Sequence, residues 1–274
     1  MTLFDMGKII AICNQKGGVG KTTTAINLGY YLAHNKKRVL LIDIDPQANA
    51  TSGLGIDRSK ISQNIYDVLI NNIQAKDIIL DLYMPEFRLL PSNINLTGAE
   101  IELISLMNRE YRLKKAIESI SNEFDFLLID SPPSLGLLTI NALTAANSVL
   151  IPIQCENYAL EGLTRLLDTI NLVKENLKSE LAVEGVLLTM ADYRTNLTSE
   201  VIEETRQFFK DKVFKTVIPR SIKLSEAPGF GKPIHIYDKN SIGAKTYSSL
   251  AAEVLGENVE EVIVEWKKEF SEEV

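Results

Sequence analysis

An α/β fold, a mainly parallel twisted sheet with helices on both faces, is what this 274-residue sequence predicts, and three observations carry that expectation. Six short runs, 9–13, 39–42, 126–129, 149–153, 185–188 and 213–218, are mostly apolar and rich in β-branched residues, as strands buried on both faces are. Segments with helical periodicity separate them, and strands that alternate with helices build parallel sheets. The first run, Ile9-Ile10-Ala11-Ile12-Cys13, passes into a glycine-rich stretch and then a helical segment, the opening half of a right-handed crossover.

Helices are expected at 22–34, 97–107, 109–121, 137–146, 160–176, 198–210 and 241–255, where apolar residues recur at helical spacing. The second strand runs into Asp43 and Asp45, and the third closes on Asp130. Ligands of open parallel sheets bind beyond these carboxyl ends. No Pro/Gly/Ser-rich linker, repeat or low-complexity tract interrupts the alternation, so residues 1–274 are expected to form a single unit with its core at 7–256.

With 45% hydrophobic and 24% charged residues the chain can bury a large core. Its two cysteines, Cys13 and Cys155, lie far apart; without a C-x-x-C pair there is no local thiolate cluster for an iron–sulfur centre, and a reducing cytoplasm fits best. The first eight residues carry no secretory pattern, and no run approaches the ~18 apolar residues of a membrane span. The last segment, 257–274, has an apolar stripe of Val259, Val262, Ile263, Trp266 and Phe270, but six glutamates oppose two lysines on its polar face. Anionic lipid would repel such a helix, so it is expected to pack on its own domain or a partner.

The net charge of −7 argues against a uniformly cationic, nucleic-acid-binding surface, yet the distribution is uneven. From Arg194 to Lys245 ten basic residues face six acidic ones, while from Thr246 onward eight acids face two lysines. Any DNA surface must be a patch.

The segment Lys16-Gly17-Gly18-Val19-Gly20-Lys21-Thr22-Thr23 has the chemistry of a phosphate cradle. Backbone N–H groups of a glycine turn at a helix N-terminus converge on one spot, and the helix dipole favours negative charge there. Lys21 is placed to reach β- and γ-phosphates and Thr22 to offer a hydroxyl to Mg²⁺. The general G-x-x-x-x-G-K-[ST] pattern is missed at one position, because Gln15 stands where its first glycine would be. In its place Lys16 supplies a second lysine near the start of the loop.

With Asp43-Ile44-Asp45-Pro46-Gln47, Leu127-Leu128-Ile129-Asp130-Ser131-Pro132-Pro133 and Ile218-Pro219-Arg220-Ser221, the loop resembles the deviant Walker A ATPases of the ParA/MinD class. The resemblance is greatest to the ParA/Soj partition ATPases and runs from about Lys8 to Leu255. It implies a P-loop NTPase-like fold, ATP and Mg²⁺ as ligands, and a sandwich homodimer in which Lys16 reaches the nucleotide of the partner subunit. It implies Asp45 as the residue that orients the attacking water, Asp43 as support for the magnesium shell or the loop, and Asp130 as a Walker B aspartate holding Mg²⁺ through water. Met190 and Pro219 would flank adenine. Arg194, Arg220 and Lys223 would meet DNA without sequence preference, Lys223 standing where the family usually carries arginine.

A ParB/Spo0J-like centromere-binding protein would stimulate hydrolysis, and the protein would be cytoplasmic and nucleoid-associated, with no membrane partner. The same signature serves relatives that position a protein cargo, and a MinD-like branch that needs a lipid-compatible tail. His34 and His235 have no acid–nucleophile arrangement near them in sequence, and Gly229-Phe230-Gly231-Lys232-Pro233 reads as a turn because proline follows its lysine.

Overall fold

Eight strands form one sheet, and the chain alternates between it and its covering helices in a computed structural model that describes residues 7–156 and 161–259. In order these are β1 (Lys8–Ile12), α1 (Lys21–His34), β2 (Val39–Asp43), α2 (Asn49–Gly53), α3 (Ile65–Ile70), β3 (Leu80–Asp81), β4 (Phe87–Leu90), α4 (Leu96–Glu102), α5 (Arg112–Glu118) and β5 (Phe126–Asp130). There follow α6 (Leu137–Ala145), β6 (Ser148–Gln154), α7 (Glu161–Asn176), β7 (Ala182–Ala191), α8 (Asn196–Phe209), β8 (Val213–Pro219), α9 (Ile222–Glu226), α10 (Ile234–Asp238) and α11 (Ile242–Val254). The acidic helix expected from residue 257 lies, beyond residue 259, outside the described residues.

The strand order is β3-β4-β2-β5-β1-β6-β7-β8, parallel throughout except for the short β3–β4 pair. Strand periodicity explains why these runs are apolar without alternation. Ile9, Ala11, Leu40, Ile42, Leu127 and Ile129 point into one core, while Ile10, Ile12, Val39, Leu41, Phe126 and Leu128 point into the other. The first core is covered by α3 to α7, and the second by α1, α2, α9, α10 and α11. Each fully buried Leu or Ile contributes about 1.5–3 kcal/mol.

The six expected strands are present, and β7 extends further at both ends than its apolar run. The expected helix at 97–107 stops at Glu102, passes through a 3-10 turn at Leu103–Ser105 and ends where Leu106 turns extended and Asn108 adopts a positive φ of 53°. That same Asn108 delays the next helix, which tightens through a 3-10 turn at Arg109–Tyr111 before α5 begins.

The exposed edge at β8 has a local guard. Glu253 of α11 accepts hydrogen bonds from the backbone N–H groups of Lys215 (2.7 Å) and Thr216 (2.6 Å), so these edge amides do not offer themselves to another strand. Among the described residues no helix is long and apolar enough to cross a membrane.

Candidate functional site

The loop after β1 is fixed at its start by Asn14, whose Nδ2 donates to the Pro152 carbonyl (2.7 Å) and whose Oδ1 accepts from the Lys16 N–H (3.0 Å). Gly18 and Gly20 have φ of 75° and 89°, which only glycine adopts at little cost. Between them Val19 is buried, and its carbonyl accepts from the Thr189 hydroxyl (2.9 Å), which also lies 3.2 Å from the Ile153 carbonyl. Thr189 therefore pins the loop to β6 and β7.

Helix α1 starts at Lys21 with no side-chain cap and no acid in its first turn, leaving its N–H groups and positive dipole end for an anion. Lys21 is 6% exposed, and its ammonium donates to the Lys16 carbonyl at 3.0 Å. Burial pulls its pKa down, against the opposing influence of Asp130, Cys13 and Asp45. Lys16 is instead exposed, with its ammonium paired to the Glu156 carboxylate.

Three buried carboxylates gather at the ends of β2 and β5. Asp43 is fully engaged: it accepts from the Thr51 N–H (2.8 Å), the Thr51 hydroxyl (2.7 Å) and the Asp45 N–H (3.1 Å). Burial pushes its carboxyl up to about 6 against these hydrogen bonds. Asp45 accepts from the Gln47 N–H (2.9 Å), and its own carbonyl accepts from the Ser92 hydroxyl (2.9 Å).

Asp130 sits in register with Asp43 on one side and Ile12 on the other, wholly buried, with neither carboxylate oxygen hydrogen-bonded among the described residues. Burial and then the Asp43 charge drive its pKa well above the usual carboxylate range, and Thr22 and Lys21 pull the other way. A buried carboxylate without a partner is costly, and hard oxygen donors are what Mg²⁺ takes. The orphaned oxygens of Asp130, with the half-buried Thr22 hydroxyl nearby, fit a divalent cation. Ser131 follows, its hydroxyl donating to the Ile12 carbonyl (2.9 Å) and lying 3.3 Å from Cys13 Sγ. Burial pushes Cys13 and Cys155 up to about 12, so both remain thiols.

Beside the loop opens a cavity of about 200 Å³ whose walls include Gly20, Thr23, Met190, Pro219, Arg220 and Tyr247. Met190 and Pro219, far apart in sequence, thus share one wall with two residues of the glycine loop. Met190 has a φ of 52°, an uncommon backbone for its type, and this bends the end of β7 around the cavity. Tyr247 closes the floor, its hydroxyl 3.1 Å from that of Thr24.

The three proposed DNA residues do not stand alike. Arg194 is exposed but clasps Asp192 through two bonds of 2.8 and 2.6 Å, which hold the Asp192 carboxyl down to about 2. Arg220 extends an exposed side chain from the end of β8, where its N–H donates to the Ala191 carbonyl at the end of β7 (2.9 Å). Lys223 lies on α9, 3.5 Å from Glu226 and 5.5 Å from the Tyr237 ring centroid. His34 and His235 pack with ring centroids 4.9 Å apart and planes tilted by 42°, and Tyr31 lies 3.2 Å from His235 Nδ1 through its hydroxyl; these are structural contacts between α1 and α10.

Sequence reasoning did not single out Thr189, Ser92, Thr51, Glu156 or Tyr247. Thr189 neighbours Met190, a weak signal, and Thr51 lies in the same stretch as Asp43, which it bonds; Ser92, Glu156 and Tyr247 act across long separations that no local pattern marks.

A glycine loop between a central parallel strand and a helix, with carboxylates closing the neighbouring strands, defines a P-loop nucleoside triphosphatase. Comparison with known proteins agrees. The family model described as an AAA domain matches residues 7–183. The sporulation initiation inhibitor protein Soj of Bacillus subtilis is 59% identical over 249 residues, spanning 91% of this chain and 98% of that protein. The chromosome partitioning protein ParA of Myxococcus xanthus is 51% identical over 250 residues, 91% of this chain and 88% of its own length. Among solved structures, cobyrinic acid a,c-diamide synthase from Mycobacterium smegmatis with bound ADP and magnesium superposes with a TM-score of 0.80 at 36% identity, covering 91% of this chain and 94% of that one. The chain belongs to the ParA/Soj family of chromosome-partitioning P-loop ATPases.

Proposed function

We propose that this ATPase binds ATP with Mg²⁺ at residues 16–23, closes with a second copy into a sandwich dimer, and in that state holds DNA without sequence preference until hydrolysis releases it. The observation that carries the reading is the ring of Lys21, Asp43, Asp45 and Asp130 at the strand ends beneath an uncapped helix, with both Asp130 oxygens unpaired among the described residues.

The phosphates lie on the N–H groups of Gly17, Gly18, Val19, Gly20, Lys21 and Thr22, and Lys21 leaves the Lys16 carbonyl to bind them. A divalent cation held by Thr22 and Asp130 supplies charge neutralisation on the phosphate oxygens. Asp45 orients the attacking water, while Asp43 keeps the Asp45–Thr51 turn in place through its three hydrogen bonds. Thr23, Met190 and Pro219 line the place for adenine. On dimerisation Lys16 exchanges Glu156 for the phosphates bound by the partner, where its charge offsets that developing in the transition state.

Arg194, Arg220 and Lys223 provide the phosphate contacts of DNA, and two copies double a patch that is weak in one. The Arg194–Asp192 clasp must loosen for Arg194 to contribute. Hydrolysis is stimulated by a ParB/Spo0J-like partner, and the protein resides on the nucleoid in the cytoplasm. The test is ATP turnover with DNA alone, with the ParB-like protein alone and with both. Joint stimulation is expected; none would transfer the reading to a relative that positions a protein cargo.

A further inference from the structure

The geometry points to Glu100 as a positioning residue for ATP hydrolysis: its carboxylate occupies the space left by the missing side chain of Gly136 and braces the segment from Asp130 to α6 against the one that carries Asp45. This rests on the reading of Asp45 and Asp130 as members of the nucleotide site.

Glu100 lies on α4, and its Oε1 is buried with no hydrogen-bond partner among the described residues. Gly136, the residue before α6, has φ −79° and ψ −170°, a backbone any residue adopts. A Cβ there would collide with Glu100 Oε1 and stand 3.3 Å from its Cδ. A side chain at 136 would therefore displace the end of the Glu100 side chain, and what fills that space in the parent is the carboxylate.

The carboxylate has a physical reason to be there. Helix α6 has no side-chain cap and no acid in its first turn, so a negative charge from α4 meets its positive end. The six residues between Asp130 and α6 include Ser131, Pro132 and Pro133, and the bond from the Thr139 hydroxyl to the Ser134 carbonyl (2.6 Å) ties their far end to α6.

The other end of α4 is anchored in the Asp45 segment. Ser92, four residues before α4, donates its N–H to the Thr51 hydroxyl (3.0 Å) and its own hydroxyl to the Asp45 carbonyl (2.9 Å). One short helix thus joins the turn that holds Asp45 to the stretch that follows Asp130. A buried negative charge beside Gly136, the residue before α6, favours the positive end of that helix and can hold that stretch in place as it closes on nucleotide. Buried polar groups without a partner call for such an explanation.

The test uses the full chain, steady-state ATP turnover, fluorescent-nucleotide binding and thermal melting. Glu100→Ala lowers kcat about tenfold, the scale of a partly buried charge at a helix N-terminus, with KM for ATP changed by less than about twofold. Glu100→Gln recovers part of the loss, because the amide still fills the space beside Gly136. Gly136→Ala lowers kcat in the parent and has little effect in the Glu100→Ala background, where the space is empty.

Parental kcat in Glu100→Ala, or equal damage by Gly136→Ala in both backgrounds, overturns the positioning role. If Glu100→Ala does not fold, the decision falls to Glu100→Gln and Gly136→Ala in the parent, where parental kcat in both overturns it. A parent that binds no ATP would instead overturn the nucleotide-site reading itself.

Discussion

Asp130→Asn is predicted to stabilise the nucleotide-free protein while removing its activity. Neither Asp130 oxygen has a hydrogen-bond partner among the described residues, and the side chain is wholly buried beside Asp43. Leaving a buried acceptor unpaired costs about 1–3 kcal/mol, more when charged. The amide keeps the shape and an oxygen acceptor but removes the charge buried beside Asp43, and that removal is expected to give a gain of about 1–3 kcal/mol, or roughly 2–12 °C in Tm for a chain of this size.

The pH dependence fixes the sign. Asp130 is raised in the fold, so between its ordinary and its raised pKa the folded state binds more protons than the unfolded one, and stability falls as pH rises through that window. Asp43, at about 6, acts in the same direction. The advantage of Asp130→Asn should therefore be greatest near pH 8 and shrink as pH is lowered towards about 4, where the unfolded carboxylate also protonates. Melting in EDTA from pH 5 to 8 measures it, and adding Mg²⁺ with ATP should raise the parent's Tm more than the variant's. A variant less stable than the parent at pH 8, or a gap that does not move with pH, would refute the reasoning.

Gly20→Ala must hold a φ of 89° at the start of α1 and is predicted to lose about 1–2 kcal/mol of stability together with nucleotide affinity, read by melting and fluorescent-ATP titration. Glu253→Ala strips the acceptor from the Lys215 and Thr216 amides; a loss of about 1–3 kcal/mol and faster hydrogen exchange at those two amides are expected. Arg220→Ala should weaken DNA binding in the ATP state uniformly across sequences and reduce the slope of log affinity against log salt by about 0.9 for each DNA phosphate that the arginine no longer neutralises, measured by titration at several salt concentrations.

The parallel sheet was legible because Ile9–Ile12, Val39–Ile42 and Phe126–Ile129 feed both cores at once, which leaves a continuous apolar signature. The strand β4 escaped: its four residues include Arg88, a run too short and too mixed to stand out, and only its place beside β2 buries it. Helices α9 and α10, five residues each, are shorter than the pattern that reveals a helix. In the site, residues within one contiguous motif could be named from sequence. Met190 and Pro219 needed family resemblance, and the structure places both on one cavity. The pairing of Lys16 with Glu156, 140 positions away, and the approach of Glu100 to Gly136 depend on the folded topology and leave no local trace.

The central claim is that ATP closes two copies into a state that alone retains DNA. Asp45→Ala, which should bind ATP and hydrolyse it poorly, allows that state to be held still. Its mass in solution and its retention on DNA are to be measured side by side with ATP, with ADP and without nucleotide. A dimer that keeps DNA only with ATP is the predicted result; a monomer at saturating ATP, or equal weak retention in all three conditions, would contradict it.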